Sequence, residues 1–304
     1  VRKVAVLVVA MVCSAAACAA DSSNGASGPV DSSSTTTVDT SSTATEADAV
    51  ETSEPALRTI TVIEVYDHDS AYTQGLEWID GGRWEGRLLE SAGRYGESRL
   101  RIWDPIGDPD GPPAALVQTE LSDDLFAEGA TVVGDRVWQL TWTAGRAFVY
   151  DLDTLEPVAE FAYETEGWGL CLLDGVLVRS DGTDRLWFHR PDDFEVVSTV
   201  EVTADGLPVE AINELECVPG ADSEASGRSA DDRIWANIYQ SNNIIAIDPE
   251  SGVVTDVVDA SALVPPGYEG DTDRVLNGIA YQPDTGRFWL TGKRWPALYE
   301  VRID

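Results

Sequence analysis

The chain has 304 residues and a mass of 32.8 kDa, with 20 basic and 54 acidic residues, a formal net charge of −34 and a pI near 4.1. That excess of negative charge excludes polyanionic partners, nucleic acid and an anionic membrane surface alike. Hydrophobic residues make up 43% and there are 10 Trp, enough for a large core in one or two domains; with His68 and His189 the only histidines, a zinc site built from several His is excluded.

Arg2 and Lys3 precede an apolar run from Val4 to Val12, followed by small residues and Cys18. This pattern reads as an export signal over residues 1–18, and the run is too short to span a bilayer. The small residues before Cys18 resemble a bacterial lipobox, with Ala15 where Leu is usual. Cys18 is therefore the lipidation candidate, and the membrane is reached only through that anchor. The alternative is ordinary cleavage after Ala17, Ala19 or Ala20, which gives a secreted protein. Residues 19–57 hold nine Ser, seven Thr and seven acids, with no Lys, Arg or aromatic residue. Nothing there offsets the entropy of ordering the backbone, so a disordered tether is expected. Cys13 lies in the signal. Cys171 and Cys217 remain as a pair, which outside the cytoplasm reads as a disulfide, with two buried thiols as the alternative.

From Arg58 to Asp304 one pattern recurs five times. It begins with Gln74-Gly75-Leu76, Glu128-Gly129-Ala130, Glu166-Gly167-Trp168-Gly169, Asn213-Glu214-Leu215 and Asn277-Gly278-Ile279. The spacings are 54, 38, 47 and 64, the last widened by a Ser/Ala/Asp-rich insertion near 221–232 that reads as a surface loop. A second strand follows each segment, as at 136–142 and 233–239, rich in Val, Trp and Leu with partial alternation. A third follows, as at 147–151 and 244–248, and a fourth, as at 195–202 and 253–258. Four strands of about fifty residues, repeated five times, predict an all-β five-bladed propeller. The fifth repeat ends after three strands. The segment 59–65 supplies the fourth and closes the ring. An irregular β-sandwich is the alternative fold.

The first segment of each repeat predicts the strand lining the central tunnel. Its polar leaders Gln74, Glu128, Glu166, Asn213 and Asn277 converge on one axis, which suits a substrate site or a structural metal ion in the tunnel. Glu90 precedes a Gly-rich turn. Lys293 is one of two lysines in the chain, and Trp142 and Trp168 are candidate platforms.

Seven spaced strings, Tyr72-Thr73-Gln74-Gly75-Leu76, Glu90-Ser91 with Gly93, Tyr95-Gly96 and Ser98, Leu140-Thr141-Trp142, Glu166-Gly167-Trp168-Gly169-Leu170, Asn213-Glu214-Leu215-Glu216, Leu276-Asn277-Gly278-Ile279-Ala280 and Thr291-Gly292-Lys293 with Trp295-Pro296, resemble the plant- and bacterial-type glutaminyl-peptide cyclotransferases. That resemblance implies a five-bladed propeller. It also implies peptides or proteins with N-terminal Gln as partners, cyclisation to pyroglutamate with release of ammonia, and no required cofactor. It implies Glu90 as proton shuttle, its pKa raised by partial desolvation. It further implies catalytic roles for Asn213 and Lys293, and substrate contacts from Gln74, Trp142, Glu166, Trp168, Glu214, Asn277 and Trp295. A monomer is expected. Two other classes stay open: a calcium-dependent lactonase-like propeller hydrolase, and a non-catalytic propeller that binds peptides at the cell surface.

Overall fold

The computed structural model describes residues 54–107, 114–220 and 229–304. The signal, Cys18, most of the tether and the centre of the insertion lie outside these residues. Blade 1 is built from Thr73–Ile79, Arg87–Ala92, Arg99–Trp103 and Ala115–Glu120. Blade 2 follows with Ala127–Val133, Arg136–Thr141, Arg146–Asp151 and Pro157–Ala162. Blade 3 has Leu170–Leu173, Val176–Ser180, Arg185–His189 and Val196–Glu201. After a small hairpin of Thr203–Ala204 and Leu207–Pro208, blade 4 has Ile212–Val218, Arg233–Ile238, Asn243–Ile247 and Val254–Asp259. Blade 5 has Leu276–Gln282, Arg287–Gly292 and Ala297–Ile303.

In blades 1 to 4 the four strands named above pair antiparallel in chain order. The strand Ile60–Asp67 pairs antiparallel with Ala297–Ile303 and completes blade 5, as the repeat count requires. Each inner strand touches the next, and the inner strand of blade 5 touches that of blade 1. The fold is thus an all-β five-bladed propeller with a closed ring. One feature was not legible beforehand. Ala56–Arg58, which composition assigns mostly to the tether, pairs parallel with Val254–Asp259 as a fifth strand on blade 4. Arg58 then meets Asp256 across that edge.

The core is divided among the five blade interfaces. One cluster, with Ile79, Leu89, Ile102 and Val137, joins blades 1 and 2. Others join blades 2 and 3 through Leu140, Leu170 and Phe194, and blades 3 and 4 through Leu173, Phe188, Leu215 and Ile234. Ile244, Leu276 and Trp295 join blades 4 and 5, while Leu88, Trp103, Trp289 and Leu298 join blades 5 and 1. Each sheet is covered on both faces, so adjacent residues such as Leu88 and Leu89 face different neighbours. That explains why the second strands read as nearly continuous apolar runs with only partial alternation.

Near the axis the blades approach so closely that side chains do not fit. A Cβ on Gly129 would lie 2.5 Å from the Leu170 nitrogen, and one on Gly169 would lie 2.2 Å from the Asn213 carbonyl oxygen. Cys171 and Cys217 form a disulfide between the inner strands of blades 3 and 4, with Cα atoms 5.4 Å apart. A link closing 46 residues restricts the unfolded chain by about 4 kcal/mol in the loop-entropy account. Gly169→Ala is expected to lower stability by about 3 kcal/mol, since backbone atoms, not a flexible side chain, must move. Urea unfolding checks this; a midpoint equal to that of the parent protein would contradict so tight a seam.

Candidate active site

Four of the five inner strands carry an irregularity at the same place. The register shifts between Thr73 and Gly75, between Ala127 and Ala130, between Ile212 and Leu215, and between Leu276 and Ile279. A bulge adds a residue to one strand and turns its side chain away from the regular alternation. The residues turned here are Gln74, Glu128, Asn213 with Glu214, and Asn277. Gly75, Gly129 and Gly278 follow them, and Gly278 has φ +119°, a backbone shape that other residues rarely adopt.

Gln74, Glu128, Asn213 and Asn277 form a buried polar floor. Asn277 Nδ2 donates to the Thr73 carbonyl at 2.9 Å and to Gln74 Oε1 at 3.3 Å. Gln74 Nε2 donates to Glu128 Oε1 at 2.9 Å. Asn213, Asn277, Gln74 and Glu128 are all buried. Burial raises the Glu128 pKa well above the ordinary carboxylate range; the positive charge of Lys293 opposes the shift and Glu166 adds to it. Burial also lowers the Lys293 pKa to about 8, against the pull of Glu128 and Asp273.

An aromatic belt surrounds this floor. Lys293 Nζ lies 4.9 Å from the Tyr239 ring centre and 5.3 Å from that of Tyr72. Tyr72 meets Phe126 edge-on at 6.0 Å, and Phe126 meets Trp142 at 5.6 Å. Glu166 Oε2 accepts both indole N–H groups, from Trp142 at 2.6 Å and from Trp168 at 2.8 Å. Trp168 returns edge-on to Tyr239 at 5.6 Å, closing the circuit. All five blades contribute. The belt supplies walls for a small polar group, and one cation sits among π-faces that favour it.

Deeper in the tunnel, carboxylates cap the free edges of the inner strands. Glu214 accepts from the Leu76 and Ile279 nitrogens at 3.2 and 2.9 Å. Glu216 accepts from Tyr281 N at 2.9 Å, and Glu77 from Val132 N at 3.1 Å. An inner strand has no partner on its tunnel side, so its N–H groups need acceptors. Burial raises all three pKa values, that of Glu77 to about 7. Glu214 is therefore held by backbone groups below the floor.

Glu90 lies elsewhere. It is fully buried between blades 1 and 5, where Arg101 reaches it with Nε at 2.8 Å and Nη2 at 2.5 Å. Thr73 Oγ1 donates to it at 2.6 Å, and His68 Nε2 stands 3.0 Å away. Burial opposes ionisation, yet Arg101 and then His68 outweigh it and hold the Glu90 pKa below the ordinary range. The expected upward shift is therefore corrected: a guanidinium and hydrogen-bond donors stabilise the anion. His68 faces two acceptors, ionised Glu90 and the Trp295 carbonyl at 3.0 Å, so it carries both ring protons. Its pKa is raised, since Glu90 outweighs the cost of burial. His68, Asp69 and Glu90 have ligand atoms within 4.8 Å of one another, the spacing of a metal site. Arg101 supplies the cation there, donating to Asp69 at 2.7 and 2.9 Å as well as to Glu90.

Of the residues singled out from sequence, Gln74, Asn213, Asn277, Lys293, Trp142, Glu166 and Trp168 gather at one mouth of the tunnel. Glu90, Glu214 and Trp295 do not; Glu214 is taken up by the Leu76 and Ile279 nitrogens below the floor. Trp295 is fully buried between blades 4 and 5, and its Nε1 donates to the Arg274 carbonyl at 3.0 Å. Glu128 stands out in the sequence only as a strand leader, and no sequence signal assigns Tyr72, Phe126, Tyr239 or Asn237 to the site. Glu128 shared the bulge signal of Gln74 and Asn277. The aromatics carried no repeat signal.

A desolvated carboxylate and a buried lysine at a propeller mouth are groups able to exchange protons with a small bound group. The family model described as Glutamine cyclotransferase matches residues 34–303. Glutaminyl-peptide cyclotransferase of Arabidopsis thaliana is 32% identical over 251 residues, covering 80% of this chain and 71% of that protein. The crystal structure of Myxococcus xanthus Glutaminyl Cyclase superposes with a TM-score of 0.70 at 39% identity, over 83% of this chain and 99% of that one. The chain belongs to the glutamine cyclotransferase family.

Proposed function

We propose that this enzyme cyclises N-terminal glutaminyl residues with Glu128 as proton shuttle and Lys293 as the charge opposite the developing oxyanion. The supporting observation is the contrast between two buried carboxylates. Glu90 is bound by a guanidinium and held ionised, whereas Glu128 is bound by a neutral amide and its pKa is raised. A shuttle must both take and return a proton near neutral pH, which suits the second environment and not the first.

The substrate enters amine-first through the belt. Trp142 and Trp168, held by one Glu166 oxygen, fix the plane of its side chain and exclude water. The neutral α-amine attacks the side-chain carbonyl carbon, forming the new C–N bond of a five-membered lactam. Glu128 takes a proton from the attacking nitrogen. Lys293 balances the charge on the carbonyl oxygen. Glu128 then gives the proton to the carboxamide nitrogen, the old C–N bond breaks, and ammonia leaves. Gln74 keeps Glu128 aimed. Glu90 acts at a distance, tying Thr73, which adjoins Gln74, to the turn that carries Lys293 through His68 and Trp295. No metal enters these steps.

We also place this reaction outside the cytoplasm, with Cys18 as anchor. The signal-like start and the Cys171–Cys217 disulfide support that setting.

Ammonia release from a Gln-initiated peptide, in the presence of EDTA, separates the two carboxylates. Glu128→Gln should fold normally and lose roughly 1,000-fold in kcat, within the range for removal of an acid-base group. Glu90→Gln should lose about 3–5 kcal/mol of stability, the cost of breaking a buried ion pair, and keep kcat within about tenfold in its folded fraction. The reverse pattern would return the shuttle to Glu90. The pH profile tests Lys293. Its positive charge is lost as pH rises through about 8, so kcat should fall above that pH. Lys293→Arg keeps its charge and should move this alkaline limb upward by about two pH units or more, at reduced kcat. A limb still centred near 8 in the variant would remove Lys293 from that role.

A further inference from the structure

Three buried asparagine atoms at the floor have no hydrogen-bond partner among the described residues: Asn213 Oδ1, Asn277 Oδ1 and Asn237 Nδ2. Buried polar groups in folded proteins are nearly always satisfied, so three such atoms in one region call for a ligand. They are neighbours. Asn237 is in the second strand of blade 4, beside the bulge that turns Asn213 inward, because Ile238 pairs with Ile212 and Ala236 with Leu215. Asn237 Oδ1 accepts from the Gly278 nitrogen at 2.9 Å, which sets it next to Asn277. Asn277 in turn leads through Gln74 to Glu128.

Two of the three amides cannot turn over. Asn237 must present its oxygen to the Gly278 N–H, so its NH₂ is the free end. Asn277 must present its NH₂ to the Thr73 carbonyl, so its oxygen is the free end. Backbone partners thus fix one free donor and one free acceptor on neighbouring residues of blades 4 and 5, with a second acceptor on Asn213. A primary carboxamide offers the complement: one carbonyl oxygen and two N–H donors.

Resting on the cyclotransferase reading above, we propose that Asn237 and Asn277, with Asn213, form the subsite that reads the substrate's side-chain carboxamide and rejects a carboxylate or an alkyl group in its place. Asn237 Nδ2 donates to the carboxamide oxygen. Asn277 Oδ1 and Asn213 Oδ1 accept from its nitrogen, which is the leaving group. A glutamate side chain would set an oxygen against the Asn277 oxygen, which its Thr73 partner keeps from turning away. A norvaline side chain would leave all three amide atoms unpaired. Sites built to hydrogen-bond a polar group reject analogues that lack it far more strongly than apolar pockets reject a size change.

The test compares three dipeptides with the same second residue, beginning with Gln, Glu or norvaline. KM is measured for the Gln peptide, and inhibition constants for the other two at pH 7. Wild-type protein should hold the Gln peptide about 100-fold more tightly than either analogue. Asn237→Asp keeps an acceptor for Gly278 N–H but replaces the free donor with an oxygen. It should raise KM at least about tenfold and shrink the preference over norvaline below about fivefold, with an unchanged circular dichroism spectrum. Analogues that bind wild-type protein within about threefold of the Gln peptide would overturn the proposal, and this comparison holds whether or not the variant folds. A folded Asn237→Asp that keeps its preference would overturn it as well. If wild-type protein released no ammonia, the cyclotransferase reading would fail first. Calorimetric binding of the same three peptides would then decide the subsite by the same preference for Gln.

Discussion

Five inner strands meet around one axis with no room for a Cβ at the seams of Gly75, Gly129 and Gly169. That contact sets the positions of everything at the mouth. Strands so close cannot keep regular pairing where their first polar residues turn inward, and the bulges at four of the five leaders take up the mismatch. One packing constraint, repeated by the ring, therefore places Gln74, Glu128, Asn213 and Asn277 on one floor. The Cys171–Cys217 bridge reinforces the Gly169 seam, between blades 3 and 4, from within its apolar cluster.

Electrostatics then divides the buried acids into two kinds. Glu90 is paired with Arg101 and His68, and the ion cluster behaves as a clamp between blades 1 and 5. Glu128, Glu214 and Glu216 are buried without a hydrogen-bonded cation, and their pKa values rise. Two of these three cap strand edges, and Glu128 alone faces the aromatic belt and the lysine. In a chain with 54 acidic residues and two lysines, the position of Lys293 among Tyr72, Tyr239 and Glu128 is a specific choice. Its own burial makes its charge titratable near the working range.

Much of this was legible in the sequence. The fivefold pattern predicted the blades, the ring closure by the segment after Arg58, and the floor residues, because a repeated polar leader is a repeated position in space. The distinction between Glu90 and Glu128 was not legible. Arg101 comes from the next strand and His68 from the segment before blade 1, so sequence showed Glu90 as a lone acid before a turn. Trp295 was misread for a related reason: its motif reaches the mouth at Lys293, but the turn directs the indole back into the blade 4–5 core. Asn237 carries no repeat signal, and its free NH₂ becomes visible only when Gly278 is seen to occupy its oxygen.

The most direct test of the central claim is the ionisation of the two carboxyl groups in the folded protein. Carbon-13 NMR of glutamate-labelled protein, assigned by difference with Glu128→Gln and Glu90→Gln, would follow both carboxyl carbons from pH 3 to pH 9. The account predicts a Glu128 resonance that titrates well above pH 4.5 and a Glu90 resonance that stays in its ionised position throughout. A Glu128 carboxyl already ionised at pH 4, beside a Glu90 that titrates near neutrality, would contradict it.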